Sequence, residues 1–126
     1  MAEELATLEY SQRLAMRGRA IMAGARSTGR TLFDAVVGAG AQAAGRGEAG
    51  LRPGAWADLM ALDTSAPDLE GLAGDARLDA WIFAGGTGVT DLWSAGRHIV
   101  REGRHIARDR VEARYRAAVA GLRNAL

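Results

Sequence analysis

Two residues near the middle of this 126-residue chain, Pro53 and Gly54, constrain its fold more than any others. Proline lacks a backbone N–H and glycine tolerates conformations that other residues avoid, so the pair predicts a turn. Residues 57–63, ADLMALD, follow as a short apolar run that ends in an acid, which is typical of a β-strand. We therefore predict helices before this point and strands from here to about residue 102.

The apolar residues at the N-terminus predict a helix from residue 2 to about residue 25. Glu3 and Glu4 lie in its first turn, where negative charge favours the helix dipole. Its apolar residues form two stripes rather than one, which predicts packing on both flanks, and a chain this small can hardly supply both partners. The stripes are Leu5, Leu8, Ala15 and Met22 on one face and Tyr10, Leu14 and Ile21 on the other.

Residues 27–29 are predicted to break this helix, and a second helix is predicted over residues 32–44 with Thr31 as its cap. Within it, residues 38–43 match G-x-G-x-x-A, the phosphate loop of dinucleotide-binding proteins, and Asp58 stands where a ribose-binding acid is expected. That motif needs a strand before it and a full helix after it, which the glycines that follow do not allow. We prefer a glycine-rich helix end packed on a neighbour and keep NAD-type binding as a third alternative.

Beyond the first strand, the sequence predicts further strands and a last helix. Residues 78–84, LDAWIFA, are predicted as a strand because large and small apolar side chains alternate, and residues 85–88 as a turn. Residues 89–94 are predicted to pair with residues 98–101 as a hairpin. A final helix is predicted over residues 109–126.

Composition excludes several classes of function. The absence of cysteine excludes disulfides, thiolate metal sites and cysteine nucleophiles. No apolar run approaches the roughly 20 residues of a membrane span, and the acidic N-terminus is unlike a signal peptide, so we expect a cytoplasmic protein without a membrane partner. Every basic residue other than histidine is arginine, which fits codon bias in a GC-rich genome. Because acids interleave with the arginines and the net charge is only +1, we expect no nucleic-acid partner.

The side chains that could carry chemistry lack the spacing of a catalytic or metal site. The two histidines, His98 and His105, are seven residues apart, so on one extended strand they would point to opposite faces. A turn is also predicted between them at Gly103. A pair of zinc-binding histidines on a helix needs a spacing of three or four residues. Asp58 and Asp63 flank one strand and are interpreted as turn or loop hydrogen-bonding groups rather than a paired acid and base.

The remaining candidates are interpreted as structural, so we predict no catalytic, cofactor-binding or metal-binding residue in this chain. They are the hairpin charges Asp91 and Glu102, the packing residues Trp56, Trp81 and Trp93 (with a stacking platform as the alternative), and a solvated loop with Asp75, Arg77 and Asp79.

Several stretches resemble the amidohydrolase superfamily. GLRPGAWADLMALD at residues 50–63 resembles the strand that returns the chain from the metal-binding barrel to a small β-sandwich. VTDLWSAGRHIVREGRH at residues 89–105 resembles the closing hairpin V-x-x-V-x-V-x-G-x-x-V-x-x-G. LEYSQRL, STGRTLFDA and LDAWIFAGG are similar to one family within it, the formimidoylglutamate deiminases.

The resemblance implies an α+β fragment of a (β/α)8-barrel and β-sandwich enzyme, with two N-terminal helices, a small mostly antiparallel sheet and a C-terminal helix. It places residues 1–46 with the last helices of the barrel, residues 47–105 in the C-terminal part of the β-sandwich, and residues 106–126 in the C-terminal helix. The family hydrolyses N-formimidoyl-L-glutamate to N-formyl-L-glutamate and ammonia in histidine degradation, with a zinc-generated hydroxide.

The resemblance also implies that the catalytic machinery is elsewhere. The family's metal ligands are a His-x-His pair, a later histidine and an aspartate that ends the last barrel strand, and all would lie upstream of Met1. We therefore expect no cofactor in this chain, zinc in the full-length parent, and no activity from the chain alone. The expected partners are the upstream barrel portion and further copies of the chain in a homo-oligomer. The alternative is a separate interaction module that buries its two-striped helix on another protein.

Overall fold

The protein has an α+β fold in the computed structural model, which describes residues 1–85 and 88–125. The described strands form one antiparallel sheet in the order β1-β2-β3-β4. The predicted α+β class is confirmed, while the barrel and the β-sandwich stay predictions. In chain order the elements are α1 (Ala2–Met16), α2 (Thr28–Ala43), β1 (Leu59–Leu62), α3 (Asp75–Phe83), β2 (Val89–Ser94), β3 (Arg97–Arg101), β4 (Arg104–His105) and α4 (Arg108–Asn124).

Helix α1 ends earlier than its sequence predicts. Arg17 adopts a left-handed backbone with φ of 52° and donates its N–H to the carbonyl oxygen of Arg13, which closes the last turn. The prediction that the helix continues to about residue 25 is therefore wrong. Ile21 and Met22, which were assigned to its two stripes, lie in the loop between α1 and α2 instead.

Helix α2 begins at the residues that were predicted to interrupt the chain. Ser27 is its N-cap, and the Ser27 hydroxyl accepts a hydrogen bond from the Arg30 N–H at 3.2 Å. The predicted cap, Thr31, lies inside the helix. The prediction of a start at residue 32 is wrong because a serine N-cap was interpreted as a helix break.

The glycine motif at residues 38–43 lies entirely within α2. No strand precedes it among the described residues, and its backbone N–H groups belong to a continuous helix rather than to a phosphate-binding turn. The segment is therefore helical rather than a phosphate loop, but the predicted close packing on a neighbour is wrong for the described residues, because a Cβ atom on Gly38 or Gly40 would meet no atom within 4 Å.

Helix α3 replaces the strand predicted over residues 78–84. A short apolar run fits either structure, and the alternation of large and small side chains was misleading here. Leu78, Trp81 and Ile82 stand at the i, i+3 and i+4 positions of one helical face, and Trp81 and Ile82 are both buried. On a strand these two neighbours would point to opposite sides. Of the turn predicted to follow, residues 86 and 87 lie outside the described residues.

The core lies where the first three helices meet one face of the sheet. Leu5 from α1, Leu32 from α2, and Trp81 and Ile82 from α3 form its buried cluster. The Phe33 and Trp81 rings pack edge to face with centroids 6.1 Å apart. On the sheet side, Met60 and Leu62 of β1 pack against the same cluster, so β1 connects the sheet to the helices.

The hairpin of β2 and β3 is confirmed. Ala95 and Gly96 form its turn with φ values of 51° and 77°, the pair of left-handed residues that a tight hairpin turn requires. Strand β1 then pairs with β2 in an antiparallel register that opposes Met60 and Leu92. The two edges of this sheet differ, because β1 (LMAL) carries no charge whereas β4 is two exposed residues, Arg104 and His105.

Helix α4 confirms the predicted C-terminal helix, apart from Leu126, which lies outside the described residues. None of its described residues is buried. Across residues 1–85 and 88–125, no helix combines the length and the apolar character that crossing a membrane requires.

The contact between α2 and α3 gives a direct test of this packing. A Cβ atom on Gly29 would lie 2.9 Å from the backbone nitrogen of Asp79, so we expect Gly29→Ala to lower the free energy of unfolding by about 2 kcal/mol. Gly38→Ala in the same helix meets no atom within 4 Å and should raise it by about 0.5–1 kcal/mol. Urea unfolding of both variants would measure the difference, and equal effects would contradict the close approach.

Candidate functional site

Three clusters of polar and charged side chains are candidates for a functional site, and the most buried of them centres on Glu9 of α1. Its side chain has no exposed surface. One carboxylate oxygen accepts hydrogen bonds from Arg13 Nε at 2.7 Å and from the Ile21 N–H at 2.9 Å, and the other accepts from the Met22 N–H at 2.8 Å. Glu9 therefore attaches the loop that follows α1 back onto the helix.

Burial alone would raise the pKa of Glu9, but the hydrogen bonds from Arg13 and from the amides of Met22 and Ile21 outweigh it, so the pKa is lowered. The side chain is consequently a carboxylate at neutral pH with both of its oxygens hydrogen-bonded. This is the chemistry of a structural anchor rather than of a general acid. Its position four residues after Leu5, on the same helical face, was the signal in the sequence that could have identified it.

The second place is the junction of α2 and α3. Asp79 Oδ1 accepts the Gly29 N–H at 2.7 Å, which puts a carboxylate at the N-terminus of α2. Asp75 receives two hydrogen bonds from Arg26, at 2.8 and 3.1 Å. The prediction that Asp75 and Asp79 belong to a solvated loop is therefore wrong, because both lie on α3 and connect it to the α2 segment. Exposed Arg77 lies between them and donates to the Leu72 carbonyl.

An open groove of about 610 Å³ lies beside these two clusters, between α1, the loop after it and α3. Its charged lining is already engaged, since Arg13 pairs with Glu9 and Arg26 with Asp75. The Arg13 guanidinium also lies 5.4 Å from the Tyr10 ring centroid and 5.6 Å from that of Phe83. With both guanidinium groups paired, the groove has the character of a packing surface rather than of an anion site.

The third place is the sheet, which holds the two histidines without bringing them together as ligands. His98 Nε2 lies 2.7 Å from Asp91 Oδ1, and the His98 ring stacks on Trp93 with centroids 4.3 Å apart. His105 is exposed on β4, where its Nδ1 accepts the Ala107 N–H at 3.1 Å. The turn predicted between them is confirmed at residues 102–103. Within the described parts of the chain, no group of three or more histidine, aspartate or glutamate side chains could hold a metal ion.

The aspartates that flank β1 make the turn and loop hydrogen bonds predicted for them. Asp58 Oδ1 accepts the Ala95 N–H at 2.8 Å, which ties β1 to the hairpin turn. Asp63 Oδ1 accepts the hydroxyl and the N–H of Ser65, and these hydrogen bonds lower the Asp63 pKa. Both carboxylates are engaged by these hydrogen bonds, which is the structural role predicted for them.

The three tryptophans have different environments. Trp81 is in the core and Trp93 lies against His98, as expected of packing residues. Trp56 is 55% exposed and is covered on one face by the guanidinium of Arg46, 4.9 Å from the ring centroid. Arg46 also lies 3.4 Å from Asp58 Oδ1, so this tryptophan stacks within the chain.

The Glu9 cluster predicts a large loss of stability on mutation. Glu9→Ala leaves Arg13 and two amides of the loop without their acceptor, so we expect the free energy of unfolding to fall by about 3 kcal/mol. Glu3→Ala removes an exposed glutamate from the same helix and should change it by less than about 0.5 kcal/mol. Chemical denaturation measures both, and a Glu9→Ala effect no larger than the control would contradict the anchor.

The same cluster predicts a pH dependence. Because the Glu9 pKa is lower in the folded protein than its ordinary value of 4.5, the unfolded chain binds this proton more tightly. Its contribution to stability is therefore complete above about pH 4.5 and is lost as the pH falls through the lowered pKa. Urea midpoints between pH 7 and pH 3 should fall less steeply for Glu9→Gln than for the unmodified chain, and parallel curves would contradict the assignment.

Comparison with known proteins gives the following relationships. No family model matches the chain. Formimidoylglutamate deiminase from Pseudomonas aeruginosa is 45% identical over 113 residues, which are 87% of this chain and 25% of that enzyme. The crystal structure of an amidohydrolase from Brucella melitensis superposes with a TM-score of 0.87 at 46% identity, over 97% of this chain and 27% of that one.

The chain thus spans about a quarter of the length of the proteins that it matches. Both matches extend over nearly all of it, so the helices, the sheet and α4 are part of one related segment. The chain is therefore similar, over nearly its whole length, to a segment of an amidohydrolase, with formimidoylglutamate deiminase as the named relative, which confirms the resemblance that its sequence predicts.

Proposed function

We propose that this chain is the C-terminal structural portion of a metal-dependent amidohydrolase whose reaction is the hydrolytic deimination of N-formimidoyl-L-glutamate. The observation that carries the proposal is the 45% identity to formimidoylglutamate deiminase over 87% of this chain. The proposal includes a cytoplasmic location, as expected of an enzyme of histidine degradation, and no catalytic residue in this chain.

We propose that the helices and strands of this chain mark which part of the parent enzyme each segment belongs to. Helices α1 and α2, in residues 1–46, belong to the barrel side. The sheet, in residues 47–105, belongs to the β-sandwich, and α4 lies in residues 106–126. Helix α3 falls in the second range but packs on α1 and α2, so the helical layer extends across that division.

The zinc ion of the proposed parent does not fit the residues of this chain. His98 is paired with Asp91, and His105 is engaged in a surface turn. A catalytic zinc needs three protein ligands with an open fourth position, and no such group occurs among the described residues. We therefore assign the metal and the chemistry to the upstream barrel portion.

The surface area supports a partner. A monomeric protein of 13.2 kDa is expected to expose about 6,400 Å². This chain exposes 9004 Å². Its helical layer rests on a small core, and the excess surface is what a segment of a larger protein exposes when it is considered by itself.

The excess includes one apolar stripe of α1. On this face Tyr10 is 44% exposed and Leu14 is 81% exposed, and an exposed apolar patch is more informative than a single exposed side chain. Together with the uncharged edge of β1, this α1 face is the surface that we propose for the upstream barrel portion. The same exposure favours the second candidate, an interaction module that docks on an unrelated protein.

Fragment complementation separates these candidates. The chain would be combined with the part of the Pseudomonas aeruginosa enzyme that it does not match, about three quarters of that protein. We expect a stable complex that releases ammonia from N-formimidoyl-L-glutamate, whereas neither part does so alone. Leu14→Glu should weaken the complex, while Ala39→Glu, at an exposed position on α2, should not.

Two results would contradict the proposal. Stoichiometric zinc or deiminase activity in the purified chain alone would place a site where we propose none. Failure to form any complex with the complementary part, by a chain that is shown to be folded, would favour the interaction module.

A further inference from the structure

Residues 18–24, which we call the strap, connect α1 to α2 without a helix or strand of their own. Within the strap, the Ala23 N–H donates to the Ala20 carbonyl oxygen at 3.1 Å. The Gly24 N–H donates to Thr31 Oγ1 of α2 at 3.3 Å. A segment with so few backbone hydrogen bonds opens at a lower free-energy cost than the helices on either side of it.

The middle of the strap is held by one carboxylate. Glu9 accepts the Ile21 N–H at 2.9 Å and the Met22 N–H at 2.8 Å, and among the described residues neither amide has another acceptor. The Met22 side chain packs against the core on the same side. Glu9 therefore acts as a latch that keeps the strap closed.

Opening of this latch does not leave an isolated buried charge. Arg13 Nε donates to the same Glu9 oxygen as the Ile21 N–H, at 2.7 Å. Because Glu9 and Arg13 both belong to α1, their ion pair can persist when the strap moves away. The carboxylate then has the guanidinium and water as partners, so the large penalty of an unpaired buried charge does not arise.

The closed strap is also strained at one position. Ala20 has a left-handed backbone with φ of 49°, which brings its Cβ atom close to the following carbonyl oxygen. Glycine would adopt the same conformation without this cost. The strain is relieved when the strap opens, and strained residues of this kind persist only where the surrounding contacts hold them.

The strap forms one wall of the groove of about 610 Å³ described above. Ala20 and Ala23 line it from the strap, and Ala80 and Phe83 line it from α3. Movement of the strap away from α1 would remove that wall. The groove would then become a wider surface between α1 and α3.

We propose that the strap is a gate, which opens as a unit while α1, α2 and α3 stay folded and thereby uncovers the groove wall on α3. Glu9 holds the gate closed, and the strained Ala20 favours its opening. The proposal does not depend on the deiminase reaction proposed above, because its tests measure hydrogen exchange and labelling of the chain alone.

The first experiment is native-state amide hydrogen exchange of the unmodified chain in low concentrations of urea. The amides of Ile21 and Met22 should be protected, and their exchange should be nearly independent of urea because a local opening exposes little surface. The amides of Leu32 and Ile82, which lie in the core, should exchange faster as urea rises because they require global unfolding.

Variants of the latch test its role in closure. Glu9→Gln replaces one charged acceptor oxygen by an amide group, so exchange at Ile21 and Met22 should accelerate at least about tenfold. Glu3→Gln makes the same change at an exposed position of α1 and should alter the exchange rates by less than about twofold.

Variants of the strap test the strain, because two alanines in it should respond in opposite directions to the same substitution. Ala20→Gly removes the left-handed cost and should slow exchange at Ile21 and Met22 roughly threefold. Ala23→Gly, at a residue whose φ is in the ordinary negative range, adds backbone freedom to the open strap and should accelerate exchange roughly threefold.

Thiol labelling tests whether the strap covers the groove, since the chain has no cysteine of its own. A bulky maleimide would be applied to Ala80→Cys, which lies in the groove wall, and to Ala76→Cys, which is exposed on α3. Adding Glu9→Gln should accelerate labelling at position 80 by the same factor as amide exchange, because one opening exposes both. Labelling at position 76 should not change.

Four results would overturn the proposal. Exchange at Ile21 and Met22 that depends on urea as steeply as exchange at Ile82 would mean that the strap opens only with the whole fold. Exchange at these two amides at the rate of an unstructured chain would mean that Glu9 is no latch. Equal effects of Ala20→Gly and Ala23→Gly would remove the strain, and labelling at position 80 that ignores Glu9→Gln would remove the gate.

Discussion

The fold depends on the close approach of α2 to α3 at Gly29 and Asp79. The Asp79 carboxylate accepts the N–H of Gly29, one of the free N–H groups in the first turn of α2, and the absence of a side chain on Gly29 lets the two backbones meet. This contact fixes the distance at which Leu32 and Trp81 pack, and β1 then adds Met60 and Leu62 to the same cluster. Most of the helical layer follows from this one junction, with α1 attached by Leu5 and by the Glu9 loop.

The sequence predicts this chain best where structure is local. The alternation on β2 and β3 and the left-handed turn between them lie within a few residues of each other, so the hairpin was identified correctly. Helix α3 was missed because nothing local distinguishes a nine-residue apolar helix from a strand. The choice between helix and strand is made by tertiary packing, because only a helix lets Trp81 and Ile82 both be buried against α1 and α2.

For the residues of the candidate site, too, the prediction depends on whether their partners are near or distant in the sequence. The loop role of Asp63 follows from Ser65, two residues further along the chain, and the structure agrees. The hydrogen-bonding role predicted for Asp58 is also confirmed, although its partner is Ala95, 37 residues away. The role of Asp79 depends on a partner fifty residues away. The role of Glu9 depends on a left-handed turn at Arg17, which no sequence motif predicts. Interactions between distant segments thus decide both roles, which is why charged residues on α3 were mistaken for a solvated loop and Glu9 was not identified.

The unequal edges of the sheet have a consequence for how such a chain is made in a cell. Strand β4 is short and charged, which blocks further strand addition on that side, whereas β1 offers an uncharged LMAL edge. An unpaired apolar edge is a template for any extended segment nearby. During synthesis, β1 is therefore the element that chaperones must shield, and growth of misfolded material should proceed from one side of the sheet only.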